Sequence, residues 1–141
     1  MPPTQITDAP DAGPGHGPSP FVCASREDLR ALRATVAARA AAAGLPARRT
    51  DDLVLAAHEV AANAHLHGGG SATLRTWTDD GEFLCEVADC GCGMPDPEAG
   101  TAPPSPTQIG GRGLWLARQL CDRVQVRTGA DGTVVRLHLT L

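Results

Sequence analysis

The strongest constraint on the fold is a change of hydrophobic period at the glycine triplet Gly68-Gly69-Gly70. Before the triplet, apolar residues recur every three or four positions, which is the spacing of an amphipathic helix. After it, the stretches 71–78 and 82–89 alternate apolar and polar residues, and Asp79-Asp80-Gly81 separates them. Such a pair is typical of a β-hairpin. The sequence therefore predicts a helical segment followed directly by antiparallel strands.

Two amphipathic helices are predicted before the glycine triplet. Ser25 is a typical helix start, because Glu27 and Asp28 then lie at the positive end of the helix dipole. This helix is predicted to end near Gly44, and a second start is predicted at Thr50-Asp51-Asp52. The inner faces are marked by Leu29, Leu32, Val36 and Ala40 on the first helix and by Leu53, Ala56, Ala57, Val60 and Ala64 on the second.

The remaining segments complete the predicted fold. Residues 90–111 are rich in glycine and proline and are expected to form a long loop, and loops of that length are usually functional. A third helix is predicted at about 112–122, followed by two strands that turn at 129–132. With a short strand at 21–24, the predicted order is β-α-α-β-β-loop-α-β-β. We expect an α+β two-layer sandwich, with a mixed, mostly antiparallel sheet and the helices packed on one face.

The chain is expected to hold one folded domain. Residues 1–19 have no apolar period and are expected to form a disordered arm or tether, so that the domain spans 20–141. Apolar residues make up 42% of the chain, which is enough to build a core. No apolar run approaches the roughly 18 residues of a membrane span, and no secretory leader is visible. We therefore expect a cytoplasmic protein that does not bind membranes.

The charged residues exclude several functions. The net charge of −4 argues against direct nucleic-acid binding, which usually needs a clustered basic face. All twelve basic residues are arginine. Without lysine, the chain cannot use a Walker-type phosphate loop, the strand lysine of a eukaryotic-type protein kinase, or a Schiff base.

The five cysteines do not predict a disulfide framework, because their number is odd and no secretory context is present. Cys90-x-Cys92 lies near His65 and His67 in sequence and invites a metal interpretation. Zinc sites more commonly separate paired cysteines by two to four residues, and the chain has no second pair. Small, partly buried side chains are therefore the preferred interpretation.

Three polar side chains recur on the second helix. Glu59, Asn63 and His67 stand at positions i, i+4 and i+8, which places them along one stripe. A solvated helix face would give the same pattern. Because asparagine is mildly unfavourable within a helix, a functional role for Asn63 is favoured. Its amide oxygen suits Mg²⁺, and the Glu59 carboxylate suits a general base.

Two glycine-rich turns follow. Asp89-x-Gly91-x-Gly93 ends a predicted strand, where the carboxylate can accept a hydrogen bond from the amino group of a base. Glycine there lets the backbone approach a flat ring, although glycine is also common in ordinary turns. Gly110-Gly111-Arg112-Gly113-Leu114 opens the third helix. Its backbone N–H groups either form a phosphate site at the positive end of the helix or belong to a plain turn.

The three motifs together resemble the signature boxes of the GHKL ATPase superfamily, which includes gyrase, MutL and the catalytic domains of histidine kinases. The boxes are Glu59-x-x-x-Asn63-Ala64-x-x-His67, Asp89-x-Gly91-x-Gly93 and Gly111-x-Gly113, and they occur in the family's order. The resemblance extends from about residue 21 to the C-terminus. It implies the ATP-binding fold of Bergerat type, whose element order agrees with the predicted one.

The short chain and the Gly-Gly-Arg-Gly-Leu-Trp box look most like bacterial anti-sigma-factor serine/threonine kinases. This resemblance implies that ATP and Mg²⁺ are bound, that Asn63 ligates Mg²⁺ and that Glu59 is the catalytic general base. It further implies that Asp89 bonds the adenine amino group and that residues 94–109 form a lid over ATP. The other cofactor-binding residues implied are His67, Gly91, Gly93, Gly111, Arg112, Gly113, Leu114 and Thr133.

The resemblance also implies partners. A kinase of this kind sequesters a sigma factor and phosphorylates an anti-anti-sigma antagonist, and a homodimer is suggested. Some of these kinases carry an arginine before the glycine box, where this chain has Gln108-Ile109. A nucleotide-gated protein-binding module with little catalysis is therefore an alternative. A detached histidine-kinase catalytic domain ranks lower, because no dimerising helix pair with an acceptor histidine is visible.

Overall fold

The computed structural model describes residues 19–67, 70–89, 112–130 and 132–141, without the side chains of Leu66, His67 and Arg112. The helices and strands follow one another in the predicted order. They are β1 (Phe21–Cys23), α1 (Arg26–Ala42), α2 (Ala47–His67), β2 (Ala72–Asp79), β3 (Glu82–Asp89), α3 (Arg112–Leu120), β4 (Arg123–Gly129) and β5 (Gly132–Thr140). None of the helices in these segments combines the length and apolar character needed to cross a bilayer.

Helix α1 begins and ends where the sequence predicts. The Ser25 hydroxyl accepts a hydrogen bond from the Asp28 N–H at 3.2 Å, and the Asp28 carboxylate accepts one from the Ala24 N–H at 2.8 Å. This reciprocal pairing resembles a capping box, with the Ala24 N–H in place of the N–H of the N-cap residue Ser25. After Ala42 the chain reverses through Gly44, whose φ of +95° is a conformation that glycine adopts without strain. Local side-chain chemistry therefore fixes both ends of α1.

Helix α2 begins at Ala47, three residues before the predicted start at Thr50. The Pro46 carbonyl accepts a hydrogen bond from the Thr50 N–H at 2.8 Å, so that the first helical turn is already closed there. The Thr50 side chain is buried, and its hydroxyl donates to the Leu45 carbonyl at 3.3 Å instead of capping the helix. The Thr-Asp-Asp signal thus lies inside the first turns of α2, and the predicted boundary was wrong.

The predicted α+β sandwich is confirmed. The five described strands form one sheet in the order β1-β2-β3-β5-β4, and each neighbouring pair among them is antiparallel. The sequence-based expectation of a mixed sheet was thus too broad for this part of the chain. Two hairpins, β2–β3 and β4–β5, join along β3 and β5. Helix α3 separates the two hairpins in sequence, and the last strand, β5, pairs with β3.

The core lies between the helices and one face of the sheet. Alternate residues of β2 are buried, as the period of two requires. In the central strands β3 and β5, Phe83, Cys85 and Val87 face the helices beside Leu139, Leu137 and Val135. Leu84, Arg136 and His138 on the opposite face are buried as well. The largest fully buried side chains include Leu32, Leu53, Leu74, Leu137, Leu139, Val36, Val87 and Val126.

The opposite face of the sheet carries polar contacts. Arg136 donates two hydrogen bonds to Glu86, at 3.0 Å and 2.6 Å, and its guanidinium lies 4.9 Å from the centre of the Trp77 ring. His138 lies between the Gln125 amide oxygen at 2.7 Å and Glu82 at 3.3 Å. Burial lowers the pKa of His138 below its ordinary value of 6.5, against the opposing effect of Glu82.

Arg49 connects the start of α2 to the end of α3. Its guanidinium donates to the Leu120 carbonyl at 2.9 Å, to Asp122 at 3.1 Å and to Asp52 at 2.8 Å. Asp122 in turn accepts a hydrogen bond from the Thr140 N–H at 2.7 Å, which lowers the pKa of that carboxyl. Helix α3 ends at Leu120, two residues before the predicted end, and the chain there is held by these bonds.

Three cysteines lie in the described part of the chain. Cys23, Cys85 and Cys121 are buried free thiols. Burial raises the pKa of Cys85 and raises that of Cys121 to about 12. These thiols are therefore protonated core side chains. The pair Cys90 and Cys92 lies outside the described residues.

Candidate functional site

The first part of the candidate site is a close approach of α3 to α2. A Cβ built on Gly113 would lie 2.9 Å from Asn63 Nδ2, 3.4 Å from Glu59 Cβ and 3.5 Å from the Glu59 carbonyl oxygen. The first of these distances is shorter than real Cβ atoms tolerate. Glycine at position 113 therefore lets the first turn of α3 rest on the stripe that carries Glu59 and Asn63 without displacing the Asn63 amide.

Helix periodicity explains why these two side chains meet α3. Glu59 and Asn63 are one turn apart and half-buried, whereas Ala56, Val60 and Ala64 beside them are buried in the core. The stripe thus runs along the border of the apolar face, as the sequence predicted. His67 is the last residue of α2 and continues the stripe, but its side chain lies outside the description.

The second part of the site is a row of short side chains at one end of the sheet. Ala72 pairs with Asp89 across β2 and β3, and Thr128 pairs with Thr133 across β4 and β5. The Thr133 N–H donates to the Asp89 carboxylate at 3.3 Å, which joins the two pairs. We call Ala72, Asp89, Thr133 and Thr128 the end row.

The end row faces the helices. The next residues on the same face are Leu74, Val87, Val135 and Val126, which form one continuous apolar row under the helices. Because side chains alternate between the two faces of a sheet, the end row must share this side. The polar side chains of the end row therefore lie at the margin of the core and not on the outer face of the sheet.

Chain connectivity brings both parts of the site to the same end of the domain. Four residues, 68–71, connect the last residue of α2 to Ala72 in the end row. Asn63 lies in the last turns of α2, next to the first turn of α3. The site thus combines a carboxylate, an amide and the positive end of a helix dipole with the Asp89 carboxylate of the end row.

Thr128 is a site residue that the sequence analysis missed. Its hydroxyl oxygen lies 2.9 Å from that of Thr133, and both side chains are buried. The predicted turn at 129–132 could have identified Thr128, because a hairpin turn sets which residues of its two strands pair. In a hairpin closed by Gly129 and Gly132, the next residues outward are necessarily Thr128 and Thr133, which then face each other.

Other predicted site residues are only partly described. Leu114 is buried in the core, so its side chain anchors α3 and its backbone alone is left for a ligand. Arg112 is the first residue of α3, with its side chain outside the description. The described part of the chain contains no group of three or more histidine, cysteine or acidic side chains that could hold a metal by itself. The predicted nucleotide contacts of Gly91, Gly93 and Gly111, and the predicted lid at 94–109, lie outside the described residues.

The comparison with protein families gives one match over most of the chain. Residues 22–139 match the model of the histidine kinase-like ATPase domain. This span includes all three predicted boxes and every described helix and strand from α1 to β4. Comparison with curated proteins finds no sequence match.

Solved structures show the same fold. The histidine kinase domain of the blue-light activated histidine kinase EL346 from Erythrobacter litoralis is 24% identical, with a TM-score of 0.53 over 68% of this chain and 46% of that chain. A further structure of the same kinase is 25% identical, with a TM-score of 0.54 over 68% of this chain and 31% of that one.

A third structure covers more of the chain. The RsbU and RsbW domains of Rv1364c from Mycobacterium tuberculosis are 23% identical, with a TM-score of 0.61 over 88% of this chain and 33% of that chain. The chain spans less than half the length of each of these three structures. The family match, the motif order and the shared fold agree, and the chain belongs to the histidine kinase-like ATPase domains of the GHKL superfamily.

Proposed function

We propose that the chain binds Mg-ATP between α2, the first turn of α3 and the end row. The observation that carries the proposal is the contact of Gly113 with Asn63 and Glu59. It brings the start of α3, with its backbone N–H groups, against the part of α2 that carries Glu59 and Asn63. Those N–H groups suit phosphate oxygens, and the half-buried Asp89 suits an amino group on the base. The family match supports ATP as the nucleotide.

The residues fit a magnesium ion held jointly with phosphates. Mg²⁺ is usually bound through one or two protein oxygens together with substrate phosphates and water. The Asn63 amide provides one such oxygen, and Gly113 leaves room for that amide against α3. When bound, the ion would offset negative charge on the phosphate oxygens. Asn63 then acts as a positioning ligand, and no further acidic cluster is required.

We further propose that the domain transfers the terminal phosphoryl group to a serine or threonine hydroxyl. In this step the Glu59 carboxylate accepts the hydroxyl proton as the new O–P bond forms, and the bond to the leaving ADP breaks. Glu59 lies one helical turn from Asn63, so the base and the ligand are held by the same rigid element. A proton acceptor and an ion ligand on one helix fit this role.

The proposed partners are a sigma factor, which the domain would sequester, and an anti-anti-sigma antagonist, which it would phosphorylate. The Gly-Gly-Arg-Gly-Leu-Trp box and the structural match to the RsbU and RsbW domains support this proposal. We also propose a homodimer acting in the cytoplasm. The net charge of −4 fits protein partners better than nucleic acid.

The nucleotide proposal is tested by calorimetric titration of Mg-ATP into wild type, Asp89→Ala and Asp79→Ala. Asp79 ends the neighbouring strand at the opposite end of the sheet, so it serves as a matched control. Loss of a charge-assisted hydrogen bond should weaken binding about 10- to 150-fold in Asp89→Ala. The control should bind like wild type. Equal affinities in all three proteins would refute the assignment of Asp89.

Phosphotransfer is tested by following ADP release and phosphoprotein formation with anti-anti-sigma proteins as substrates. Glu59→Gln should keep ATP affinity and lose about 10²- to 10⁴-fold in transfer rate. The alternative is a nucleotide-gated binding module, which Gln108-Ile109 favours because no arginine precedes the glycine box. That alternative is supported if ATP changes partner affinity while no phosphoprotein forms with any antagonist.

A further inference from the structure

The last turn of α2, residues 64–67, is tied to the chain before β2 by His65. Nδ1 of the His65 ring lies 3.0 Å from the Gly70 carbonyl oxygen. A carbonyl oxygen can only accept a hydrogen bond, so Nδ1 must carry the proton and act as the donor. The direction of this bond is therefore fixed. It joins the end of α2 to a residue two positions before Ala72, the first residue of β2.

Without such a bond, this end of α2 would open easily. His67 is followed directly by three glycines, and glycine loses more conformational freedom on folding than any other residue. The last four carbonyl groups of a helix have no partner within it, and frayed ends open at a free-energy cost near zero. A typical hydrogen bond changes such an equilibrium by a factor of about 2 to 12. The bond from His65 to Gly70 is therefore strong enough to decide how often the last turn is closed.

His65 acts on the side of α2 that faces away from the candidate site. Two positions along a helix correspond to about 200° of rotation, so His65 and Asn63 point to nearly opposite sides. The close approach of Gly113 to Asn63 holds one side of this part of α2, and the bond to Gly70 holds the other. In an α-helix that ends at His67, the Asn63 carbonyl accepts the N–H of His67. Opening of the last turn therefore loosens the backbone that carries the Asn63 amide.

We propose that His65 is a positioning residue for the nucleotide site, because its hydrogen bond to Gly70 keeps the last turn of α2 closed and Asn63 in place. This inference rests on the proposed binding of Mg-ATP, with Asn63 as the ligand of Mg²⁺. A protein whose binding-competent form is only part of the population binds its ligand more weakly in proportion to that fraction. Loss of the bond should thus lower the affinity for Mg-ATP without changing any group that touches it.

The test compares wild type with His65→Ala, His65→Asn and His58→Ala. Amide hydrogen exchange of residues 64–67 is measured in the free protein, and the affinity for Mg-ATP is measured by calorimetric titration. Asparagine carries an N–H donor close to the position of histidine Nδ1, so it can form the same bond. His58 is a matched control, because it lies two turns earlier on the same side of α2 and is half-buried like His65. Its Nδ1 has no hydrogen-bond partner among the described residues.

We expect His65→Ala to speed exchange at 64–67 about 2- to 12-fold, which is the range for one hydrogen bond. Its affinity for Mg-ATP should fall about 2-fold or more, but by no more than the gain in exchange. His65→Asn and His58→Ala should match wild type in both measurements. Exchange in the core strand β5 should stay unchanged in all variants, which separates local opening from a general loss of stability. In an Asn63→Ala background, adding His65→Ala should cause little further loss of affinity.

Four results would overturn the inference. They are unchanged exchange or unchanged affinity in His65→Ala, an equal loss in His58→Ala, an equal loss in His65→Asn, and a full additional loss beyond that of Asn63→Ala. Each of them requires that wild type binds Mg-ATP, so the proposed function would stand while the role of His65 failed. A wild-type protein that binds no Mg-ATP would instead overturn the proposed function and this inference with it.

Discussion

Replacing Gly113 with alanine should separate nucleotide binding from stability. The added methyl group would lie 2.9 Å from Asn63 Nδ2, whereas ordinary contacts begin near 3.4 Å. The amide must therefore move by about 0.5 Å, or rotate away. Because that amide is the far end of a side chain, the movement costs little. The distances to Glu59, 3.4 Å and 3.5 Å, are already tolerable.

The expected change in stability is small. Alanine is favoured over glycine within a helix by up to about 1 kcal/mol, and this gain offsets the displacement of the Asn63 amide. We therefore expect the free energy of unfolding of Gly113→Ala to stay within about 1 kcal/mol of wild type. By contrast, displacing a residue that orients a metal ligand typically weakens affinity about 10- to 100-fold. Chemical denaturation and calorimetric titration of Mg-ATP measure the two quantities.

A double-mutant cycle tests whether the methyl group acts through Asn63. In an Asn63→Ala background the amide is absent, so adding Gly113→Ala should cause little further loss of affinity. A full additional loss in that background would contradict the reasoning and indicate that the methyl group blocks the nucleotide directly. Wild-type affinity in Gly113→Ala alone would refute the role of the Gly113 contact altogether.

Three further predictions concern the framework around the site. Glu86→Ala leaves the Arg136 guanidinium buried without its carboxylate, so denaturation should show a loss of about 3–5 kcal/mol. The double variant Glu86→Leu with Arg136→Met should recover most of this loss, and equal losses would refute the explanation. The lowered pKa of His138 means that the unfolded state binds its proton more readily. Stability should therefore fall as the pH drops below 6.5. The difference in unfolding temperature between pH 7.5 and pH 5.5 should be smaller in His138→Gln than in wild type. Arg49→Ala should lower stability by about 1–2 kcal/mol, whereas the exposed neighbour Arg48→Ala should not, and equal unfolding midpoints would argue against the Arg49 connection to α3.

Much of the fold was predictable because its signals are local. The start of α1 depends on Ser25 and Asp28, which are three residues apart, and its end depends on Gly44. The alternation of buried and more exposed residues along β2 depends only on positions two apart in the chain. The start of α2 was not predicted, because Thr50 carries a capping side chain that the fold turns inward to the Leu45 carbonyl. A local preference there was outweighed by burial.

The sequence by itself determined the order of the three boxes, the separation of Glu59 and Asn63 by one helical turn, and the position of Asp89 at a strand end. These follow from helix and strand periods, which act over a few residues. Only the tertiary structure decided which groups meet. Gly113 reaches Asn63 across 50 positions, and Thr133 reaches Asp89 across 44. Such contacts depend on strand register and on the packing of α3 against α2, and neither is encoded in any local period.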